Sequence, residues 1–381
     1  MMKNKIVFLV LICFLLAVLA LSGCSHNNQS DYGDQYIHGM DAQCFSHIHN
    51  VTASDKGFYS FYSQDFDDDI LKFMDKKTRK MIPVCSKPNC NHNDNTCDAY
   101  YRSVLSLALY NDKIYIVAGG TKEYSVSLYK ANMDGSGKEE IKTLYMRNGD
   151  ASLEFEFIIH RGYVYYVANQ IEQKRKESTQ ILYRTSLDSS DEKEELLAIT
   201  GYSPLIYISA IRGNRMCLYS RWYEDKDMTI NKEQNYEMDI RSNQCGKLDL
   251  PGNCEIGYCD EDKIICSMEC RDEEERESSI DIFSRDGKRL SSTKCLISSE
   301  IGYDEKYIYR NDCDEEVVKE NRVIKVFSHD GKQVSEIKNP KGYRLLWSDS
   351  TDLFLQKRNE DDSFSYSILS IDELLNLEEL D

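Results

Sequence analysis

Three thiols and an imidazole fall within one stretch of thirteen residues, Cys85, Cys90, His92 and Cys97, in the order C-x4-C-x-H-x4-C. Three thiolates and one neutral imidazole make a complete tetrahedral donor set for structural zinc. Pro88 and the asparagines between the ligands suit a tight polar loop. All four positions would be filled by protein, so such a centre would be closed and structural, with no coordination site left for catalysis. The competing chemistry is oxidation. In an exported chain an even set of cysteines favours disulfides, and the sequence leaves metal and disulfide both open. Cys44, near His47 and His49, offers a weaker trio. On a strand the two histidines share one face, but no fourth ligand is adjacent, and a half-exposed strand face accounts for them.

Cys24 carries a different chemistry. Lys3 and Lys5 precede an uncharged apolar run, Ile6 to Leu21, followed by Leu21-Ser-Gly-Cys24. A basic end, an apolar run and an aliphatic-small-small-Cys quartet form a bacterial lipobox. The peptidase needs small residues beside the cleaved bond, and the Cys24 sulfur is the atom that takes the diacylglycerol. The expectation is a signal peptide over 1–23, an acylated Cys24 (thioether lipid and palmitate-type chains) and a polar tether over 24–35. The lipid bilayer is then a partner, and the folded part lies outside the cytoplasm, anchored to the cell membrane. An uncleaved membrane anchor is the competing reading, and it leads to the same compartment.

Composition narrows the rest. The chain has 381 residues, 47 Lys and Arg against 65 Asp and Glu, and a net charge of −18. That balance excludes a nucleic-acid partner, because no cationic surplus exists to neutralise phosphates. Apolar residues make up 41%, too many for a disordered chain.

The elements that would position these residues repeat. Strands rich in Tyr, Ile and Val recur about every fifty residues, centred on Tyr59, Tyr115, Tyr165, Cys217, Ile265, Tyr309 and Phe354. Later strands of each unit end in Asp-Gly or its equivalent, as at Asp134-Gly135, Asp286-Gly287 and Asp330-Gly331, a hairpin signal. Four short strands at this period define a blade of a β-propeller. The expected fold is all-β, a single propeller over 36–381 with seven four-stranded blades and the Cys/His-rich insert at 85–98. The last unit shows three strands and then a helical pattern from Ile371. The segment around Gln35–His38 is the candidate for the missing strand that would shut the ring. Cys217 and Cys266 occupy equivalent strands and read as buried apolar residues. Cys245, Cys254, Cys259, Cys270, Cys295 and Cys313 fall near strand ends, with no pairing legible.

No G-x-S-x-G elbow, H-E-x-x-H helix or phosphate-binding loop is present. The acidic runs at 65–69, 272–275, 314–316 and 360–362 read as solvated tips. The lipobox, the Tyr-rich units and the Cys/His loop together resemble lipoproteins of clostridia-like Gram-positive bacteria. Those units in turn look like the propellers of low-density-lipoprotein-receptor-related proteins and of TolB. The resemblance implies location and fold rather than activity, and the receptor-type Tyr-Trp-Thr-Asp signature is absent. The functional expectation is a surface-anchored binding or scaffold module for an envelope protein, peptide or glycan. The alternative is an extracytoplasmic propeller hydrolase or lyase.

Overall fold

The computed structural model describes residues 33, 35–37, 40–42, 50–62, 68–146, 153–170, 177–188, 192–251, 254–269, 277–296, 300–311, 323–338, 343–359 and 363–372. Cys24, the signal segment, Cys44, His47, His49 and the four acidic runs, apart from strand residues Asp68 and Asp69, lie outside them. Among the described residues no helix is long and apolar enough to cross a membrane.

Strands follow one another as antiparallel meanders. The first sheet holds β1 (Val51–Ser54), β2 (Gly57–Tyr62), β3 (Asp68–Asp75), β4 (Met81–Pro83) and β5 (Tyr100–Arg102). The next holds β6 (Ser106–Tyr110), β7 (Lys113–Gly119), β8 (Ser125–Asn132) and β9 (Glu139–Met146). A seven-stranded sheet runs through β10 (Leu153–His160), β11 (Tyr163–Gln170), β12 (Glu177–Ser186), β13 (Lys193–Arg212), β14 (Arg215–Tyr223), β15 (Asn231–Asp239) and β16 (Gln244–Leu248). Then come β17 (Cys254–Cys259), β18 (Lys263–Glu269), β19 (Glu277–Ser284) and β20 (Arg289–Leu296). They are followed by β21 (Glu300–Tyr303), β22 (Tyr307–Asn311), β23 (Val323–Ser328) and β24 (Gln333–Lys338). The last sheet has three strands, β25 (Arg344–Ser348), β26 (Asp352–Arg358) and β27 (Phe364–Ser370).

The long sheet spans two of the sequence repeats, the third and the fourth. The 20-residue β13 pairs with β12 through Tyr202 and with β14 from Tyr202 onward. The register breaks between Tyr202 and Leu205, where Ser203 has φ 50° and Pro204 has no N–H to donate. One strand therefore ends the third unit and begins the fourth.

The residues that marked the repeat sit in β2, β7, β11, β14, β18, β22 and β26, the second strand of each unit. All seven central side chains are buried. Their strands look apolar on both faces because both faces are covered. Tyr165 packs toward the fourth unit, while its neighbours Val164 and Tyr166 pack toward the second. Successive strand residues point to opposite faces. Every pair of neighbouring units shares one apolar core in this way. First strands touch in the cyclic order β1, β6, β10, β13, β17, β21, β25 and back to β1. The result is a ring of radially packed sheets, an all-β propeller.

The Asp-Gly turns take a different form from a two-residue primed turn. In each Asp-Gly pair only the glycine, Gly135, Gly287 or Gly331, adopts positive φ, near +82 to +85°, and each follows a register shift in its hairpin. This is a type I turn closed by a glycine bulge. At Gly135 a Cβ would stand 2.1 Å from the Val84 carbonyl oxygen, so the second unit's turn seats directly on the root of the Cys/His loop.

The strand exchange expected for Gln35–His38 is not what the structure shows. Gln35, Tyr36 and Ile37 join no sheet, and the last sheet keeps three strands among the described residues. Ring closure instead comes from side chains. Phe58 of β2 stacks on Phe354 of β26 at 5.0 Å, and Lys76 reaches Asp349 and Asp352, the latter at 3.0 Å. Ile371 and Asp372 begin a helical turn.

Candidate metal centre

The Cys/His loop leaves the outer edge of the first sheet. Strand β3 has two successive partners there. Its Lys72–Met74 end pairs with β4, and its Asp68–Ile70 end pairs with β5. Sixteen residues, 84–99, are extruded between these two half-strands. Val84 N donates to the Leu71 carbonyl at 2.9 Å, and Leu71 N donates to the Ala99 carbonyl at 2.8 Å, so both loop ends are pinned to one residue of β3.

Within the loop, Cys85, Cys90, His92 and Cys97 converge, with their ligand atoms all within 4.8 Å of one another. His92 Nδ1 lies 3.3 Å from Cys97 Sγ. Tetrahedral zinc, with Zn–S near 2.3 Å and Zn–N near 2.0 Å, spaces its ligand atoms by about 3.5–3.8 Å. Two features of the backbone make this gathering possible. Asn89 and His92 adopt positive φ, 60° and 54°, which folds the chain back on itself. Asp94 then caps the return, accepting from Thr96 N at 2.9 Å and Thr96 Oγ1 at 2.6 Å.

The surroundings treat two of the thiols in opposite ways. Burial pushes the Cys85 thiol up, but the backbone N–H groups of Lys87 and Asp98 outweigh it and leave it below the ordinary range. Cys97 is 2% exposed, and its burial drives it up to about 12 even though Ala99 N donates to its sulfur at 3.3 Å. A cation at the centre would remove the conflict between a buried thiolate and its missing countercharge. Lys87 is taken up by Asp98 at 2.9 Å, and Ser86 also donates to Asp98 at 2.8 Å, so the loop's second layer is tied together. Cys97 belongs to the apolar core between the first two units, and Cys85 and Cys90 pack against that core.

The remaining described cysteines divide. Cys266, expected as a plain apolar residue, forms a disulfide with Cys254 across β17 and β18. Cys217 and Cys259 are buried thiols, while Cys245 is exposed. Cys270 and Cys313 lie outside the described residues.

A second polar site was not anticipated. The residues five before each central strand residue are Ser54, Tyr110, His160, Arg212, Asp260, Asp304 and Asp349. They stand at the start of the first turn of each unit, at one end of the ring. The described residues of segment 35–42 bond to the third and fourth of these turns and border a pocket lined from the fifth and sixth. Asp41, with its carboxylate fully buried, meets Arg161 in a two-pronged pair at 2.5 and 3.0 Å and also accepts from Gly213 N at 3.2 Å. Arg161 donates further to Asn214 at 2.9 Å and to the Gln35 carbonyl at 2.6 Å. Ala42 N donates to His160 Nδ1 at 2.9 Å, and His160 Nε2 meets the Gly213 carbonyl at 2.7 Å. Arg212 grips Glu305 with three contacts of 2.6–3.0 Å, and Asp304 accepts from Tyr309 at 2.6 Å and from Ser348 at 2.5 Å. Burial raises Glu305 above the usual carboxylate range despite Arg212. A small pocket of about 30 Å³ beside Ala42 is lined by Arg212, Tyr258, Asp304 and Glu305. The sequence signal for this site was the alignment of polar residues at one repeat position, visible only once the repeats are superposed.

No family model and no curated protein matches the chain. Solved structures do. An oligogalacturonate lyase in complex with manganese superposes with a TM-score of 0.52 at 8% identity, over 88% of this chain and 89% of the lyase. The β-propeller domain of the Trilobed protease from Pyrococcus furiosus superposes with a TM-score of 0.50 at 9% identity, over 84% and 93%. That domain is described as having an open velcro topology. At such identities the likeness concerns the fold: this chain is built like a β-propeller.

Proposed function

We propose that this protein is a lipid-anchored, extracytoplasmic β-propeller that binds or scaffolds an envelope protein, peptide or glycan. Cys24 would be its acylated residue. Cys85, Cys90, His92 and Cys97 would hold a structural zinc ion. The observation that carries the reading is the state of the charged groups at the channel end under segment 35–42. Asp41, Arg161, Arg212, Glu305 and Asp304 are spent on one another and on backbone groups. A hydrolase or lyase needs acid and base groups free to meet substrate. Here Asp41, Arg161 and His160 fasten the chain's own N-terminal segment, while Arg212 pairs with Glu305 and Asp304 accepts from Tyr309 and Ser348. The Cys/His centre, with four protein donors, is likewise of the closed structural kind.

The metal would supply a fixed tetrahedral node, and the protein's residues do the rest. The Lys87 and Asp98 N–H groups favour the Cys85 thiolate, Ala99 N orients Cys97, and the Lys87–Asp98 pair closes the loop. The anchor is tested by Cys24→Ala, which should move the protein from the membrane to the soluble or secreted fraction and abolish palmitate labelling. Retention in the membrane would remove the lipoprotein assignment. The binding role is tested with the purified full chain against detergent-solubilised envelope fractions. A saturable, titratable ligand that is recovered unchanged is expected. Turnover of an envelope glycan or peptide would sink the scaffold reading in favour of an enzyme.

A further inference from the structure

The core between the fourth and fifth units is unlike its neighbours. Four of its nine buried members are cysteines, Cys217, Cys254, Cys259 and Cys266, beside Ala210, Leu248, Ile256, Ile264 and Phe283. The other interfaces fill this space with Tyr, Phe, Trp and Leu side chains. Cys254 and Cys266 are already joined. Cys217 of β14 and Cys259 of β17 come from different units, yet both are 0% exposed in this one core, where β14 packs against β17. No strand pairing links these two sheets, which meet through side chains alone.

We propose that Cys217 and Cys259 form a second disulfide, one that ties the fourth unit to the fifth. The proposal rests on the extracytoplasmic reading, because that compartment supplies the oxidant. Two thiols give up two protons and two electrons as one S–S bond forms. A donor disulfide, on an oxidoreductase or a small thiol compound, is cleaved to two thiols. Because both sulfurs are shut away from solvent in the folded chain, the bond must form before this interface closes and then resists reduction. The pair acts as a covalent stitch where the apolar packing is made of small side chains.

The full chain isolated from its own envelope, alkylated under denaturing conditions without reduction, tests this. Trypsin should release peptides 216–221, 248–263 and 264–271 as one three-part species. Further cleavage after Tyr258 should resolve it into a Cys217–Cys259 pair and a Cys254–Cys266 pair. Recovery of 216–221 as a singly alkylated peptide would overturn the proposal. In that case, refolding of the reduced chain in a glutathione redox buffer identifies the fault. A Cys217–Cys259 link formed there would place the error in the compartment, and its absence would place it in the geometry. In linked protein, Cys259→Ala should lower the melting temperature by several degrees and free the Cys217 thiol, while an unchanged melting temperature with Cys217 still blocked would show a different partner.

Discussion

Cys97 is where burial and charge conflict most sharply among the four ligands. It is 2% exposed and sits in an apolar core. Losing it would remove one donor and open the loop's anchoring end. Cys97→Ser should lower zinc affinity by more than about 100-fold, since it deletes a ligand rather than one of the outer partners whose loss costs 10–100-fold. Metal analysis of the wild-type protein should give one zinc per chain, and no zinc with Cys85, Cys90 and Cys97 all blocked to alkylation would eliminate the centre. The convergence of Cys85, Cys90, His92 and Cys97 was legible in the sequence because all four lie in one short loop. The Asp41–Arg161 pair was not, because its members are 120 residues apart.

His160 belongs to the same scale. Burial holds it down to about 4, below its ordinary 6.5, while the Asp41 carboxylate and the Gly213 carbonyl pull the other way and Arg161 adds to the depression. The unfolded chain therefore binds the extra proton between those two values. Stability tied to His160 is complete above about pH 6.5 and falls as pH drops toward 4, by about 3 kcal/mol in all. Unfolding free energies measured from pH 7 to pH 4.5 should fall more steeply for wild type than for His160→Ala. Parallel slopes would show that His160 does not carry this dependence.

At the scale of elements, segment 35–42 acts as a strap rather than a strand. Its removal would expose Arg161 and Asn214 at the ring's end and uncover the pocket beside Ala42. Deletion of 33–42 should lower the melting temperature sharply. Asp41→Ala, which leaves the Arg161 guanidinium buried without its carboxylate, should cost about 3–5 kcal/mol in chemical denaturation. A loss under 1 kcal/mol would mean the pair contributes little net stability. The second strands were readable because Tyr, Ile and Val recur at a fixed period. The split of the outer edge between β4 and β5 was not, since a three-residue strand such as Met81–Pro83 has too few residues to show a pattern.

For the whole molecule, the decisive join is between the last sheet and the first. With three strands in the last sheet among the described residues, the join they show is the stack of Phe58 on Phe354, the further stack of Phe354 on Tyr366 at 5.5 Å, and the Lys76 ion pairs. Phe354→Ala should cost about 3–5 kcal/mol by cavity formation, and more than an equivalent truncation on an outer strand. Equal costs at both places, measured by urea unfolding, would argue that this join is no weaker than the others.

The sequence by itself determined the periodicity, the all-β character and the grouping of ligands in one loop. These follow from local facts: strand propensity, the two-residue alternation, turn chemistry and short chain separation. The tertiary structure alone decided how the ring closes, which cysteines lie across from one another, and that the N-terminal segment caps the turns of the third to sixth units. Those outcomes depend on side chains brought together from distant repeats, and a single strand's composition carries no record of which neighbour it will face.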